Sequence, residues 1–256
     1  MNRSTRFILQ AAATACAVFA TCAQASVIRI DQSAFTAQAG RITFSEFALN
    51  TQNPTYAPAN YGGLAGAPTV SFGGWFTGQS AGNSVDCPVG AAVSGCVLGL
   101  PTGALSLDVN SPKTFITADA SNPTSPVLSG SPQFNGPISI LFDVDLAGIG
   151  LDGGYFNAIG GTAIHAFARD GSVIGSVANL GLGMEFLGLV TSDGSAQIAG
   201  LQFSLIGAEP AGFAIDNLMF GQAGQVVVPG VPEPETYALM LLGLGVVGWA
   251  ARRRKA

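Results

Sequence analysis

Charge is scarce in this sequence. Only 10% of the 256 residues are Asp, Glu, Lys or Arg, two are lysine, and one, His165, is histidine. A single histidine leaves one centre for any Cys–His or Ser–His–Asp arrangement, and too few ligands for a zinc site built of Cys and His. No HExxH or Walker loop is present. Cations are also badly distributed. Between residues 26 and 231 only Arg29, Arg41, Lys113 and Arg169 stand against 13 acids, a net charge of −9. Such a domain repels a phosphate backbone, which argues against nucleic-acid binding. Long amphipathic helical periodicity is missing as well.

Glycine is abundant, at 35 residues, and 48% of the chain is hydrophobic. Strand-like runs recur between Gly, Pro, Asn and Asp. "RITFSEF" alternates Ile42 and Phe44 with polar residues. "PISILFDVDL" places Ile138, Ile140, Phe142 and Val144 on one face. "GTAIHAFARDGSVIGSV" reads as two strands around the Asp170-Gly171 turn, a second turn falls at Asp193-Gly194, and "AGFAIDNLMFG" reads as a last strand. Many short strands at this spacing indicate an all-β, jelly-roll-like β-sandwich over residues 26–224. Residues 50–137 are richer in Gly, Pro, Ser and Asn and read as a loop-rich insertion decorating it.

Both ends look like instructions rather than fold. Arg3 and Arg6 precede an apolar, Ala-rich stretch, and Ala23-Gln24-Ala25 is a small-x-small cleavage site. Residues 1–25 therefore read as a signal peptide for the Sec translocon, cut between Ala25 and Ser26. Residues 237–251 carry no charge and are followed by Arg252, Arg253, Arg254 and Lys255. Fifteen helical residues span roughly 22 Å, short of a hydrocarbon core of about 30 Å, a gap that snorkelling arginines can close. The basic tail, 252–256, stays cytoplasmic by the positive-inside rule, so this is one transmembrane helix holding the domain outside. Residues 225–236 form the linker, with Pro232, Glu233 and Pro234 kept extended by the two prolines.

Pro-Glu-Pro, an apolar helix and a terminal arginine cluster, in that order, resemble the PEP-CTERM sorting signal. The resemblance implies recognition and cleavage near that motif by exosortase, a membrane-embedded enzyme of Gram-negative bacteria. It implies a transient inner-membrane anchor, then delivery to the cell surface or the extracellular polysaccharide matrix of a biofilm. "LDGGYFNAIGGTAIHAFARDGSVIGSV", "MEFLGLV" and "FAIDNLMFG" are similar to ectodomains common among PEP-CTERM proteins and to lectin-like jelly rolls. In such folds the first and last strands can share a structural calcium ion, which by that analogy falls to Glu46 and Asp216.

Once the signal peptide is removed, Cys87 and Cys96 are the only cysteines left, and in an oxidising compartment they are expected to form a loop disulfide. His165 reads as a half-buried strand residue. Asp143 and Asp145 share a strand face, but an EF-hand starting at Asp143 would need Glu where Gly154 stands. They read as a solvent-facing edge, with Asp152 in a following Gly turn. Tyr56, Tyr61, Phe72, Trp75 and Phe76 form either a sugar-stacking platform or a local core. The expected function is that of a non-enzymatic surface or matrix protein, structural or adhesive in extracellular polysaccharide. The alternatives are a carbohydrate-binding lectin-like module, using those aromatics, and a secreted glycan hydrolase using carboxylates such as Asp143 and Asp145.

Overall fold

The computed structural model describes residues 26–230 apart from 123, 125, 211 and 212. The signal peptide, the Pro-Glu-Pro motif, the anchor helix and the basic tail lie outside the described residues. Among the described residues, no helix is long and apolar enough to cross a membrane.

The fold is all-β. Fifteen strands follow in chain order: β1 (Val27–Arg29), β2 (Gly40–Ile42), β3 (Thr55–Tyr56), β4 (Val70–Gly73), β5 (Ser80–Ala81), β6 (Val97–Leu98), β7 (Thr114–Thr117), β8 (Val127–Gly130), β9 (Ile138–Leu146), β10 (Gly148–Phe156), β11 (Thr162–Phe167), β12 (Val173–Ala178), β13 (Gly183–Thr191), β14 (Ile198–Leu205) and β15 (Ala214–Gly221). One sheet has the order β1-β13-β10-β15-β8-β7, with β2 also pairing β15. The other runs β12-β11-β14-β9-β4-β3, and β5 and β6 form a separate ribbon. Every named pairing is antiparallel.

The two sheets bury a shared core. Ile149, Leu151, Leu187 and Leu189 of the first join Ile140, Phe142, Leu201 and Phe203 of the second. Rings meet across the gap, Phe142 with Phe220 at 5.5 Å and Phe156 with Phe203 at 6.2 Å. Alternation along β9 holds from Ile138 to Phe142 and then fails: Val144 is exposed and Leu146 is buried. The pairs Ile198↔Leu146 and Gly200↔Leu141 explain this, because β9 carries three more residues than β14 between them. The extra residues bulge outward and reset the face.

Residues 50–137 do more than decorate the sandwich. They supply β3 and β4 to one sheet and β7 and β8 to the other. The rest forms a layer on the outer face of the second sheet. Phe76 and Leu105 pack with Phe167 and Ala199, and the rings of Phe76 and Phe167 stand 5.4 Å apart. Gly200 makes the approach possible: a Cβ there would sit 2.6 Å from Leu105 and 2.9 Å from Phe76.

Polar groups fix this layer. Gln79 and Gln202 exchange amide hydrogen bonds at 3.0 and 2.7 Å, and Gln202 also donates to Ser139 Oγ at 2.9 Å. Gln79 Oε1 accepts from the Phe76 amide, and Ser139 donates to the Gly74 carbonyl. Every member is satisfied, so the network specifies register instead of penalising burial. Glu209 does similar work at another loop. Its buried carboxylate accepts the backbone amides of Asn157 and Ala158 and the Asn157 side-chain amide, while its carbonyl takes the amide of Ala92.

The disulfide expected between Cys87 and Cys96 is formed. It lies against Gly82, whose Cα side is closed by both sulfurs. The Asp170-Gly171 hairpin joins β11 to β12 as read from sequence. Asp193-Gly194 also makes a turn, with Asp193 Oδ1 accepting from Ser195, but it links strands of different sheets.

Candidate functional site

The chemistry concentrates around Arg41, on β2. β15 carries a bulge: Gly150 pairs Met219 while Asp152 pairs Asp216, so β15 holds one residue more than β10 across that step. Asn217 sits in the bulge with φ at 47°, a left-handed conformation that Asn tolerates better than most residues. Its side-chain amide donates to Asp152 at 2.8 Å, and its carbonyl oxygen accepts from the Arg41 guanidinium. Asp216 is almost fully buried. Its oxygens accept from the Asn217 backbone amide at 2.6 Å, from Asn122 at 3.1 Å and from the Thr124 hydroxyl.

Two carboxylates thus face each other across β10 and β15. Burial pushes Asp152 up from the ordinary carboxylate range, opposed by the Asn217 amide and Arg41. Burial likewise raises Asp216, opposed by its donors and aided by the Asp152 charge.

On its other side Arg41 lines a cleft of about 310 Å³. The walls are the 37–41 segment, the 61–68 loop and the exit of β15. Tyr61 forms one wall, edge-on to Phe220 at 5.3 Å, and its hydroxyl is spent on the Pro68 carbonyl. Burial, helped by the charge of Asp143, pushes the Tyr61 phenol up to about 12. Gln38, Gln222 and Gln225 supply amides. Gly40 is required for the close packing here, since a Cβ would meet the Phe220 ring at 2.3 Å.

Other residues singled out by sequence fall elsewhere. Tyr56, Phe72 and Phe76 are buried in the core, so the aromatic platform is not on the surface; large rings gain more from burial than from water. Asp143 accepts from the Thr69 amide at 2.7 Å and Asp145 is ion-paired with Arg169, both on β9, an interior strand and not an edge. Asp152 stands in β10 instead of a turn. His165 is a half-buried strand residue opposite Gln202 and Ser176, and burial lowers its pKa below the usual value. Glu46 Oε1 accepts from the Thr43 amide and hydroxyl, while its buried Oε2 has no hydrogen-bond partner. Among the described residues, no three His, Cys, Asp or Glu side chains converge as a metal-holding group. Of the Arg41 surroundings, sequence pointed to Asp152, Asp216 and, as one of a group of aromatics, Tyr61. Asn217 had a readable signal, an Asp-Asn pair inside an otherwise apolar strand. The cleft as a whole had none, because its walls come from three separate segments.

The approach to the Pro-Glu-Pro motif is held by the fold. Val226 bridges Phe35, the Val227 amide donates to the Ala34 carbonyl at 2.8 Å, and Val228 packs on the cluster around Ile30, Phe35 and Val190. A family model described as the PEP-CTERM protein-sorting motif matches residues 230–255. The chain carries a PEP-CTERM sorting motif. Pro232, Glu233, Pro234 and the arginines 252–254 all fall within the match. This motif supports an exported protein processed by exosortase. No curated protein matches the chain. Among solved structures, the enzymatically active domain of tailspike protein 4 from bacteriophage CBA120 is similar at 19% identity, over 42% of this chain and 17% of that one, with a TM-score of 0.27. The chain spans less than a fifth of that protein, and a likeness this slight carries no argument.

Proposed function

We propose that the PEP-CTERM protein described here is a non-catalytic component of the cell surface or extracellular polysaccharide matrix of a Gram-negative bacterium. It is exported by the Sec translocon and released from a transient anchor by exosortase. The sorting motif at 230–255 carries this reading. The short tether supports it: three residues lie between Val228 and Pro232, a reach of about 14 Å over four steps at full extension. The processing enzyme would then cut a stretched segment close against a compact domain. Asp143 and Asp145, the carboxylates first considered for hydrolysis, are each spent on structural partners, which favours a binding role over a catalytic one.

The test is fractionation of strains with and without the exosortase. The reading expects the protein in the polysaccharide fraction of the first and in the inner membrane of the second. Equal distribution in both strains overturns it.

A structural calcium ion at Glu46 and Asp216 is a separate proposal. The unpartnered Oε2 of Glu46 favours an added ligand there. Asp216 would have to give up its present donors to share it. If the ion binds, chelation lowers the melting temperature and Asp216→Asn abolishes the difference; an unchanged Tm on chelation rejects it.

A further inference from the structure

The cleft beside Arg41 is an electrostatic exception. The domain holds 13 acids and four cations. Two of those cations, Arg29 and Arg169, are ion-paired with Glu185 and Asp145. The cleft walls contain Arg41, three glutamines and a tyrosine, and no acid at all. In an acidic domain, an acid-free concavity around a cation is a place where an anion meets less repulsion than elsewhere.

We propose that this cleft binds the carboxylate-bearing sugars of an acidic polysaccharide, with Arg41 holding a uronate carboxylate. The inference rests on the matrix reading above and names its ligand class. Arg41 is exposed, and its hydrogen bond to Asn217 Oδ1 leaves guanidinium N–H groups for a ligand. That bond orients the fork, and Asn217 is itself locked by the bulge and by Asp152. An arginine fork pairs a carboxylate through two parallel hydrogen bonds. The Gln38 side chain is exposed and offers an amide donor and acceptor; half-buried Gln225, whose Oε1 accepts the Gln222 amide, keeps its NH2 for a ligand. The Tyr61 ring is fixed by its bond to Pro68 and by Phe220, so its wall is rigid before any ligand arrives. A volume of about 310 Å³ lies at the small end of ligand sites and suits one or two sugar rings. Asp152 lies behind Arg41 through Asn217 and feels its charge, and Asp143 acts on Tyr61; neither lines the cleft.

The experiment titrates the full-length chain, purified in detergent, with tetragalacturonate and with its fully methyl-esterified form. The acid is expected to bind, more weakly as salt rises, and the ester to bind about tenfold to a hundredfold less well, the range for a lost charge-assisted bond. Arg41→Gln should lose the same factor toward the acid and nothing toward the ester. Gln38→Ala, at an exposed side chain, and Gln225→Ala, which also removes the acceptor of the Gln222 amide, should weaken both ligands modestly. A matched thermal melt shows whether Arg41→Gln still folds; if it does not, the two glutamine variants and the ester comparison decide. No binding of the acid, or equal binding of acid and ester, overturns the proposal. Neither result touches the sorting reading, which the fractionation tests alone.

Discussion

Replacing Gln202 by Leu tests how the outer layer is held. The side chain takes part in three buried hydrogen bonds, two exchanged with Gln79 and one to Ser139. Each contributes about 1 kcal/mol net, and the partners left behind keep only part of their bonding. Gln79 retains the Phe76 amide and a longer bond to Gly99, and Ser139 retains Gly74. The expected loss is therefore about 2–4 kcal/mol. For a domain of this size that is a fall in Tm of roughly 5–15 °C. Gln79→Leu should cost at least as much, because it also strips the buried Phe76 amide of its acceptor. The double variant should cost less than the sum by about 1–3 kcal/mol, the worth of the two exchanged bonds. Urea unfolding of the four proteins, in the same detergent, measures all three quantities. A coupling near zero, or a Gln202→Leu loss below 1 kcal/mol, would refute the view that this network docks the layer on β14.

His165 makes stability depend on pH. Burial lowers its folded pKa below the ordinary 6.5, so the unfolded chain binds the proton more readily. Its contribution is full above pH 6.5 and is lost as pH falls from there toward the folded value; His165→Asn should flatten the decline in Tm between pH 7.5 and 5.5, and an unchanged slope contradicts this. Asp152 and Asp216, both raised, act with the opposite sign, since acidification relieves their burial. Removing the Cys87–Cys96 bond by a double Ser substitution opens a loop with a sequence separation of nine and should cost about 2–3 kcal/mol of unfolding free energy. Glu209→Ala should cost about 3–5 kcal/mol by urea unfolding, because it strands the buried amides of Asn157 and Ala158; a loss under 1 kcal/mol refutes that role.

Much of the architecture was legible because antiparallel strands write a local code. The runs ending at Leu146, Leu205 and Gly221 were readable from apolar runs bounded by turn residues, and Asp170-Gly171 named its own hairpin. The disulfide was legible from the compartment and the count. What failed were predictions that needed non-local knowledge. Val144 looked like a core residue until the bulge between β9 and β14 turned it outward. Tyr56, Phe72 and Phe76 could be read as a surface platform or as a core, and their burial decides for the core; Gly- and Pro-rich neighbours hid that β3 and β4 join the second sheet.

The site shows the same division. Asp216 and Asp152 could be noticed as acids in apolar surroundings, but their opposition depends on β10 and β15 being neighbours, 64 residues apart in the register Asp152↔Asp216. Arg41 was a lone cation in the sequence. Only the fold sets it between a carboxylate pair and an acid-free cleft. The sorting signal is the converse case. It is contiguous and must be read by an enzyme as a linear segment, so the sequence alone displays it whole.

The most direct test of the central claim is the intact mass of the protein from the surface and medium fractions. The account predicts a species that begins at Ser26 and ends between 231 and 235, with any further mass reporting an attached glycan or lipid. A mass running to Ala256, recovered from the inner membrane of a strain with active exosortase, would contradict it.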